Sequence, residues 1–392
     1  MLLLPKLSES YLEFFFSPKN THLYIVEIQL INYKNYSQKA FKCSSGINCF
    51  VGLNGVGKTN VLDAIYYMCM TKSRFSSTDR NVMKRGSEFC RLVMKVGGRG
   101  EELFNEELIL KLIPGQRKEF ELNKEVYQKL SDHVGQFPVV LIAPDDTDLV
   151  REGSEARRKF IDNTLSQIDA LYLKNLLLYN RVLKQRSALL KMDGNHMGPE
   201  DSLLKAYDAQ LEGPALYIYE KRKAFTAELI PLFQKYYDEI SGEREVVDIR
   251  YRSKLNELSW QEYIDQYKLQ DIHSQRCNAG IHKDDLIFVM DDEKVKQFSS
   301  QGQRKSFVLA LKLSQYEQLR LAKSVKPFLL LDDIFDKLDR NRVKNLMDLL
   351  GKQDFGQIFI TDTDVERVKL VVGGLSKEHT IFELESVEEN GI

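Results

Sequence analysis

The sequence predicts an α/β fold whose two halves are separated by a long helical insertion. Three observations predict it. Short apolar runs rich in Ile, Val and Phe recur toward both ends of the chain. The stretch from Glu155 to Met192 holds no glycine or proline. The string Gly52-Leu53-Asn54-Gly55-Val56-Gly57-Lys58-Thr59 lies between an apolar run and a helical pattern. At 392 residues the chain exceeds one ordinary core, so two compact units or one head with an inserted arm is expected.

In chain order, residues 1–22 read as an N-terminal extension. Pro5, Lys6, Glu9 and Glu13 interrupt its apolar character and no small-residue cleavage site follows, which argues against a signal peptide. Leu23–Ile31 and Ile47–Gly52 predict strands at either end of a polar stretch. After the glycine string, Val61, Leu62, Ile65 and Met68 or Cys69 recur at helical spacing. Leu92–Val96, Leu108–Ile113 and Val139–Ile142 predict further strands, with Pro114-Gly115 as a turn, completing a first half-head over 23–150.

Residues 151–244 read as a helical arm. Ile168, Tyr172, Leu176, Tyr179, Leu183 and Leu190 share one helix face, and a polar loop spans 193–201. A second run carries Leu204, Tyr207, Leu211, Phe225, Leu229, Phe233 and Tyr236, and Gly213-Pro214 is expected to kink or break it. An antiparallel, coiled-coil-like hairpin and an ordinary helical subdomain both fit this spacing. Residues 245–392 form the second half. Val247, Ile249 and Tyr251 alternate with polar residues, Leu286–Met290, Phe328–Leu331 and Ile358–Ile360 continue the strands, and helices fall at 303–323 and 340–350. Trp260, in an amphipathic run, is expected in the core.

Composition narrows the function. Hydrophobic residues make up 43% and charged residues 29%, as in a globular chain. The net charge of −1 provides no overall basic field, so nucleic-acid binding must rest on local patches. Five cysteines without a CxxC pair argue against a zinc site or disulfide framework and fit a reducing compartment. No stretch approaches the ~20 apolar residues of a membrane helix, and a cytoplasmic location is expected.

The string at 52–59 fits G-x-x-x-x-G-K-[ST]. Its glycines let backbone N–H groups wrap a phosphate, Lys58 would reach the β and γ phosphates of ATP, and the Thr59 hydroxyl would ligate Mg²⁺. The bland alternative is a glycine-rich turn with a surface lysine. A second acidic element follows: Phe328-Leu329-Leu330-Leu331-Asp332-Asp333 is a buried strand ending in two carboxylates, at the strand end where α/β sheets bind ligands. Asp332 would hold Mg²⁺, and Asp333 would orient or deprotonate the attacking water. A third element, Ser299-Ser300-Gln301-Gly302-Gln303, opens a helix and is a weak anion site by itself.

The position of that third element, about 30 residues before the acidic strand, resembles the signature motif of ABC-type ATPases, and Asp336-Lys337-Leu338-Asp339 resembles their D-loop. The implied fold is an ABC-type P-loop ATPase head, SMC/Rad50-like, with an inserted helical arm. More specifically, SSQGQRKS, LLLDDIFDKLD, LINYKNY, GKTNVLDAIYY, PDDTDLVREGSEARRKFID and GIHKDD resemble the RecF family in order and spacing from about residue 25 to 365. The resemblance implies a DNA-damage and replication-fork protein. It would dimerise on ATP at single-strand/double-strand DNA junctions, hydrolyse ATP slowly under DNA stimulation, and help load RecA with RecO and RecR, within the SOS response. The implied nucleotide contacts are Gly52, Leu53, Asn54, Gly55, Val56, Gly57, Lys58, Thr59 and Asn60, with Ser300, Gly302 and Gln303 reaching a second copy's nucleotide. Lys58 and Asp333 are the implied catalytic pair, Thr59 and Asp332 the metal ligands, and Lys34 flanks the adenine by resemblance.

The chain departs from the ABC pattern in places. Where a switch histidine usually stands it reads Ile360-Thr361-Asp362-Thr363-Asp364, an acid or a threonine, and its second acidic residue is Asp333, not glutamate, which fits slow turnover. Ile281 replaces a proline common in the family. Arg157-Arg158-Lys159, Lys221-Arg222-Lys223 and Arg117-Lys118 are candidate phosphate contacts or solvated faces. His282, Lys283, Asp284 and Asp285 fit a polar lead-in to a strand better than a metal cluster. Three other classes fit less well. A transporter-type ATP-binding subunit would want glutamate at 333 and histidine near 362, a metabolic kinase has no use for the signature and D-loop, and an overcoming-lysogenization-type nuclease needs a further domain.

Overall fold

The structure is a computed structural model describing residues 22–99, 104–193, 198, 201–242, 245–335, 340–352, 355–375 and 377–385. The extension at 1–21, most of the loop at 193–201 and the D-loop at 336–339 lie outside the described residues. In the first half, strands β1 (His22–Tyr33), β2 (Tyr36–Lys42) and β3 (Ile47–Val51) lead into helix α1 (Lys58–Met70), followed by β4 (Cys90–Arg99), β5 (Phe104–Leu112), β6 (Glu119–Leu122), β7 (Glu125–Val126) and β8 (Val139–Ile142). Helices α2 (Asp148–Arg151), α3 (Ser154–Ile168), α4 (Ala170–Asp193) and α5 (Ser202–Ser241) come next. The second half runs β9 (Val247–Arg252), α6 (Trp260–Ser274), β10 (Asp285–Met290), β11 (Glu293–Lys294), α7 (Val295–Phe298), α8 (Gln301–Lys323), β12 (Phe328–Leu331), α9 (Arg340–Lys352), β13 (Ile358–Asp362), α10 (Val365–Gly373) and β14 (His379–Glu383).

A five-stranded sheet, ordered β14-β3-β13-β12-β8 and parallel at every pairing, is the central layer. Its side chains alternate between two cores. Ile47, Cys49, Val51, Leu329, Leu331, Ile358 and Ile360 join the helices. Phe50, Phe328, Leu330 and Phe359 join α1 and the six-stranded antiparallel sheet β2-β1-β4-β5-β6-β7. Burial of both faces is why these strands read as continuous apolar runs. Because all five strands are parallel, the segments following β3, β8, β12 and β13 emerge at one edge, where the chemistry collects.

The helical arm differs from the sequence reading in two places. The predicted single run ends at Asp169, whose carboxylate accepts the N–H groups of Leu171 and Tyr172 and caps a new helix, so α3 and α4 are separate. The expected break at Gly213-Pro214 does not occur. α5 continues through Pro214 and Pro231 for 40 residues, because its apolar face packs along α4 and α8 and tertiary burial outweighs the lost hydrogen bonds. α4 and α5 run antiparallel: Arg186 pairs with Asp208 at 2.6 Å, and Tyr217 donates to Asp169 at 2.8 Å. They therefore form a hairpin, laid against the head along α8 and β9. Strands β2, β6, β7, β11 and β14 are absent from the sequence reading; β2 and β14 are sheet edges with few buried positions, and β6, β7 and β11 are only two to four residues long. Trp260 is buried as expected, its indole N–H donating to the Asp208 carbonyl at 3.2 Å.

Candidate nucleotide site

β3 is buried along its whole length and delivers the chain to the loop at 52–59. Gly57 closes that loop at φ 108 and precedes α1; a Cβ there would lie 2.5 Å from the Asn35 amide nitrogen, so glycine is required. The β1–β2 turn braces the loop from outside. Asn35 Nδ2 donates to the Val56 carbonyl at 3.0 Å, Tyr36 Oη donates to the Gly57 carbonyl at 3.1 Å, and Asn60 Nδ2 donates to Asn35 Oδ1 at 2.7 Å. Lys58 is 4% exposed, and its ammonium donates to the carbonyls of Gly52 and Leu53 at 2.9 and 3.0 Å. A glycine loop running into a helix N-terminus, with a lysine folded over it, is a cradle for phosphate.

The acidic strand closes on this loop. Thr59 Oγ1 donates to Asp332 Oδ1 at 2.9 Å and Oδ2 at 3.1 Å, although the two residues are 273 positions apart. Thr361 Oγ1, from β13, donates to Asp332 Oδ1 at 2.7 Å. Burial raises the Asp332 carboxyl above the usual range while the hydroxyls of Thr361 and Thr59 pull it back down. A hydroxyl and a carboxylate side by side are hard oxygen donors of the kind Mg²⁺ takes. Asp333 holds a left-handed backbone at φ 42, and its N–H donates to Thr361 Oγ1 at 2.9 Å. Strained backbone of this sort is concentrated at functional sites.

At the position of the missing histidine the roles divide. Asp362 is committed to its own turn, pairing with Arg367 at 2.5 Å and accepting the Asp364 N–H at 2.7 Å. Thr361 is the β13 residue that reaches the acids. The sequence left acid and threonine open; nothing in it marked Thr361 as the one turned inward.

Ser300 caps α8 in a reciprocal box: its N–H donates to Gln303 Oε1 at 2.7 Å, and the Gln303 N–H donates to Ser300 Oγ at 3.2 Å. The Arg342 guanidinium lies where a Cβ on Gly302 would project. Ser300 and Gln301 are exposed. A cavity of about 220 Å³ is lined by Gln301 and Arg304 of α8, by Ala143 and Pro144 after β8, and by Asp333 and Ile334. The serine–glutamine turn therefore opens beside the acidic end of β12. Among the described residues, no hydrogen bond joins it to the loop at 52–59 within one chain.

The comparisons with known proteins agree with this geometry. The profile of the RecF/RecN/SMC N terminal domain matches residues 24–377. A DNA replication and repair protein RecF of Flavobacterium johnsoniae is 42% identical over 363 residues, covering 92% of this chain and 100% of that protein. The chain belongs to the RecF family. The RecF of Cytophaga hutchinsonii is 40% identical over 360 residues, covering 92% of this chain and 94% of its own. Among solved structures, the recombination mediator RecF with ATPrS in the RecFOR pathway superposes with a TM-score of 0.82 at 26% identity, covering 93% of this chain and 98% of that one. The RecF–ATP structure gives 0.78 at 28%, covering 88% and 92%. An Smc head domain from Pyrococcus furiosus, at 17% identity and TM-score 0.54 over 93% and 94% of the two chains, shares the fold.

In this RecF-family chain the clusters singled out as phosphate contacts are largely engaged internally. Arg157 pairs with Asp285 at 2.7 Å, and Arg158 donates to the Asp284 carbonyl at 2.8 Å. Buried Arg222 holds Asp162 at 2.9 Å and Asp284 at 3.2 Å. Lys159 pairs with Glu155, Lys221 with Asp169, and Lys118 with Asp79, while Arg117 donates to the Gln128 carbonyl. Lys34 is tied to buried Asp63 at 2.7 Å, which also accepts from Tyr33 and Ser73. The 282–285 cluster is structural: His282 bonds Tyr179 and the Cys277 carbonyl, and Asp284 accepts from Tyr251 at 2.6 Å. Among the described residues, no cluster of three or more His, Cys, Asp or Glu side chains is placed to hold a metal, at 282–285 or elsewhere.

Proposed function

We propose that this chain is an ATP-driven DNA replication and repair clamp, in which two copies close over shared nucleotides on DNA. The observation that carries the reading is the contact of Thr59 with Asp332, which joins the phosphate loop and the acidic strand into one site. In this reading the loop residues Gly52 to Asn60 cradle the triphosphate, Lys58 leaves its own loop carbonyls for the β and γ phosphates, and Thr59 and Asp332 hold Mg²⁺. Bound Mg²⁺ supplies neutralising charge to the phosphate oxygens. Asp333 orients the water, and Thr361 fixes both acids. Ser300, Gly302 and Gln303, exposed or half-exposed on α8, meet the second copy's γ phosphate. The division into head halves at 23–150 and 245–392 around an arm at 151–244 belongs to the same proposal, as do single-strand/double-strand junctions, RecO- and RecR-like partners, RecA loading and the cytoplasm. Asp333 in place of glutamate and the lack of a histidine at 362 weigh against a transporter subunit.

Sedimentation with and without ATP and Mg²⁺ tests the proposal. Wild type should pass from monomer to dimer and bind gapped DNA more tightly. Ser300→Arg should bind ATP yet stay monomeric, and Lys58→Ala should lose ATP binding itself. An oligomer indifferent to nucleotide would overturn it.

A further inference from the structure

Beyond the nucleotide site, α4 is strongly basic. α4 carries Lys174, Arg181, Lys184, Arg186 and Lys191 with no acid between Asp169 and Asp193. Arg186 is spent on a buried bridge to Asp208 and Asp271. Among the described residues, the side chains of Lys174 and Arg181, a heptad apart on one face, make no hydrogen bond or ion pair, and neither does the ammonium of Lys129 across the groove. Between these cations run leucines. Leu171 and Leu177 are 48% and 53% exposed, and Leu178 lies beside them. Together with Ser131 and Asp132 of the neighbouring turn, these side chains line a groove of about 700 Å³.

We infer that this groove docks an acidic amphipathic helix of a partner protein. The chemistry selects that occupant. Exposed Leu171 and Leu177, with half-buried Leu178 at the groove floor, want apolar anchors at helical spacing, and the three cations around them want carboxylates. A phosphate backbone would satisfy the cations but leave the leucines in water. The inference does not depend on nucleotide binding or on dimerisation.

Fluorescence anisotropy of the full chain with a labelled synthetic helix tests it, the helix carrying leucines at i, i+3, i+4 and i+7 and glutamates elsewhere. Wild type should bind it, and Leu177→Glu and Lys174→Glu should each weaken binding roughly tenfold. A twin peptide with lysines for glutamates, and a scrambled one, should not bind. Lys159→Glu, on α3, should change nothing, and unchanged ATP binding and thermal midpoint show that the variants fold. Equal binding of both peptide charges, or of the variants, overturns the inference. So does tighter peptide binding after deletion of residues 1–21, which would make that segment the occupant. Two further outcomes also overturn it: nucleotide-free self-association lost in Leu177→Glu, and duplex DNA binding lost in Lys174→Glu while the peptide fails to bind.

Discussion

His133 shows how a single residue commits to one protonation state. It is fully buried beneath the antiparallel sheet, and its Nε2 lies 2.7 Å from the Met68 carbonyl at the end of α1. Burial pushes its pKa down to about 4 from the ordinary 6.5. The unfolded chain takes up the proton near 6.5 and the folded chain only near 4. Stability is therefore lost as pH falls across that window, by up to roughly 3 kcal/mol. Denaturant midpoints at pH 7.5 and 5 should differ accordingly, and His133→Gln should flatten that part of the slope; an unchanged slope would assign the acid sensitivity elsewhere. At this scale the nucleotide residues were legible because phosphate chemistry demands fixed spacing, as in Gly52 to Thr59. Thr361, Asn35 and Tyr36 were not, since a hydroxyl or amide that braces a neighbour leaves no pattern of its own.

Among the elements, α5 conforms least to local rules. Pro231 is exposed in the middle of the helix, where it removes one backbone donor and crowds the preceding turn without filling any core space. Pro231→Ala should raise stability by about 1–3 kcal/mol, read as a higher thermal midpoint. Pro214 is buried, so the same change there trades a regained hydrogen bond for a void and should yield less. The sequence located β3, β8, β12 and the apolar start of β13 because strands buried on both faces must be apolar throughout. It missed β2 and β14, whose edge positions place polar side chains in water, and the short β6, β7 and β11, and it misjudged Pro214 because local propensity yields to forty residues of packing.

Across the whole molecule, buried glutamines join pieces distant in the chain. Gln357 accepts the Ile25 N–H at 2.6 Å and donates to the carbonyls of Ile25 at 2.9 Å and Ser44 at 2.6 Å, fastening β1 of the first half beside β13 of the second. Gln357→Leu would strand those groups in the core and should cost roughly 3 kcal/mol in chemical denaturation. A loss below about 1 kcal/mol would mean water replaces the amide. Such joins explain why the basic clusters were ambiguous in sequence: Asp285, the partner of Arg157, lies 128 positions away. The neighbours of β3 in the central sheet carry a related implication. β3 pairs with β13 on one side and β14 on the other, both translated long after it. A nascent chain leaving the ribosome thus carries its phosphate loop long before that loop has a finished floor, and a message truncated before residue 379 should yield a product unable to grip nucleotide.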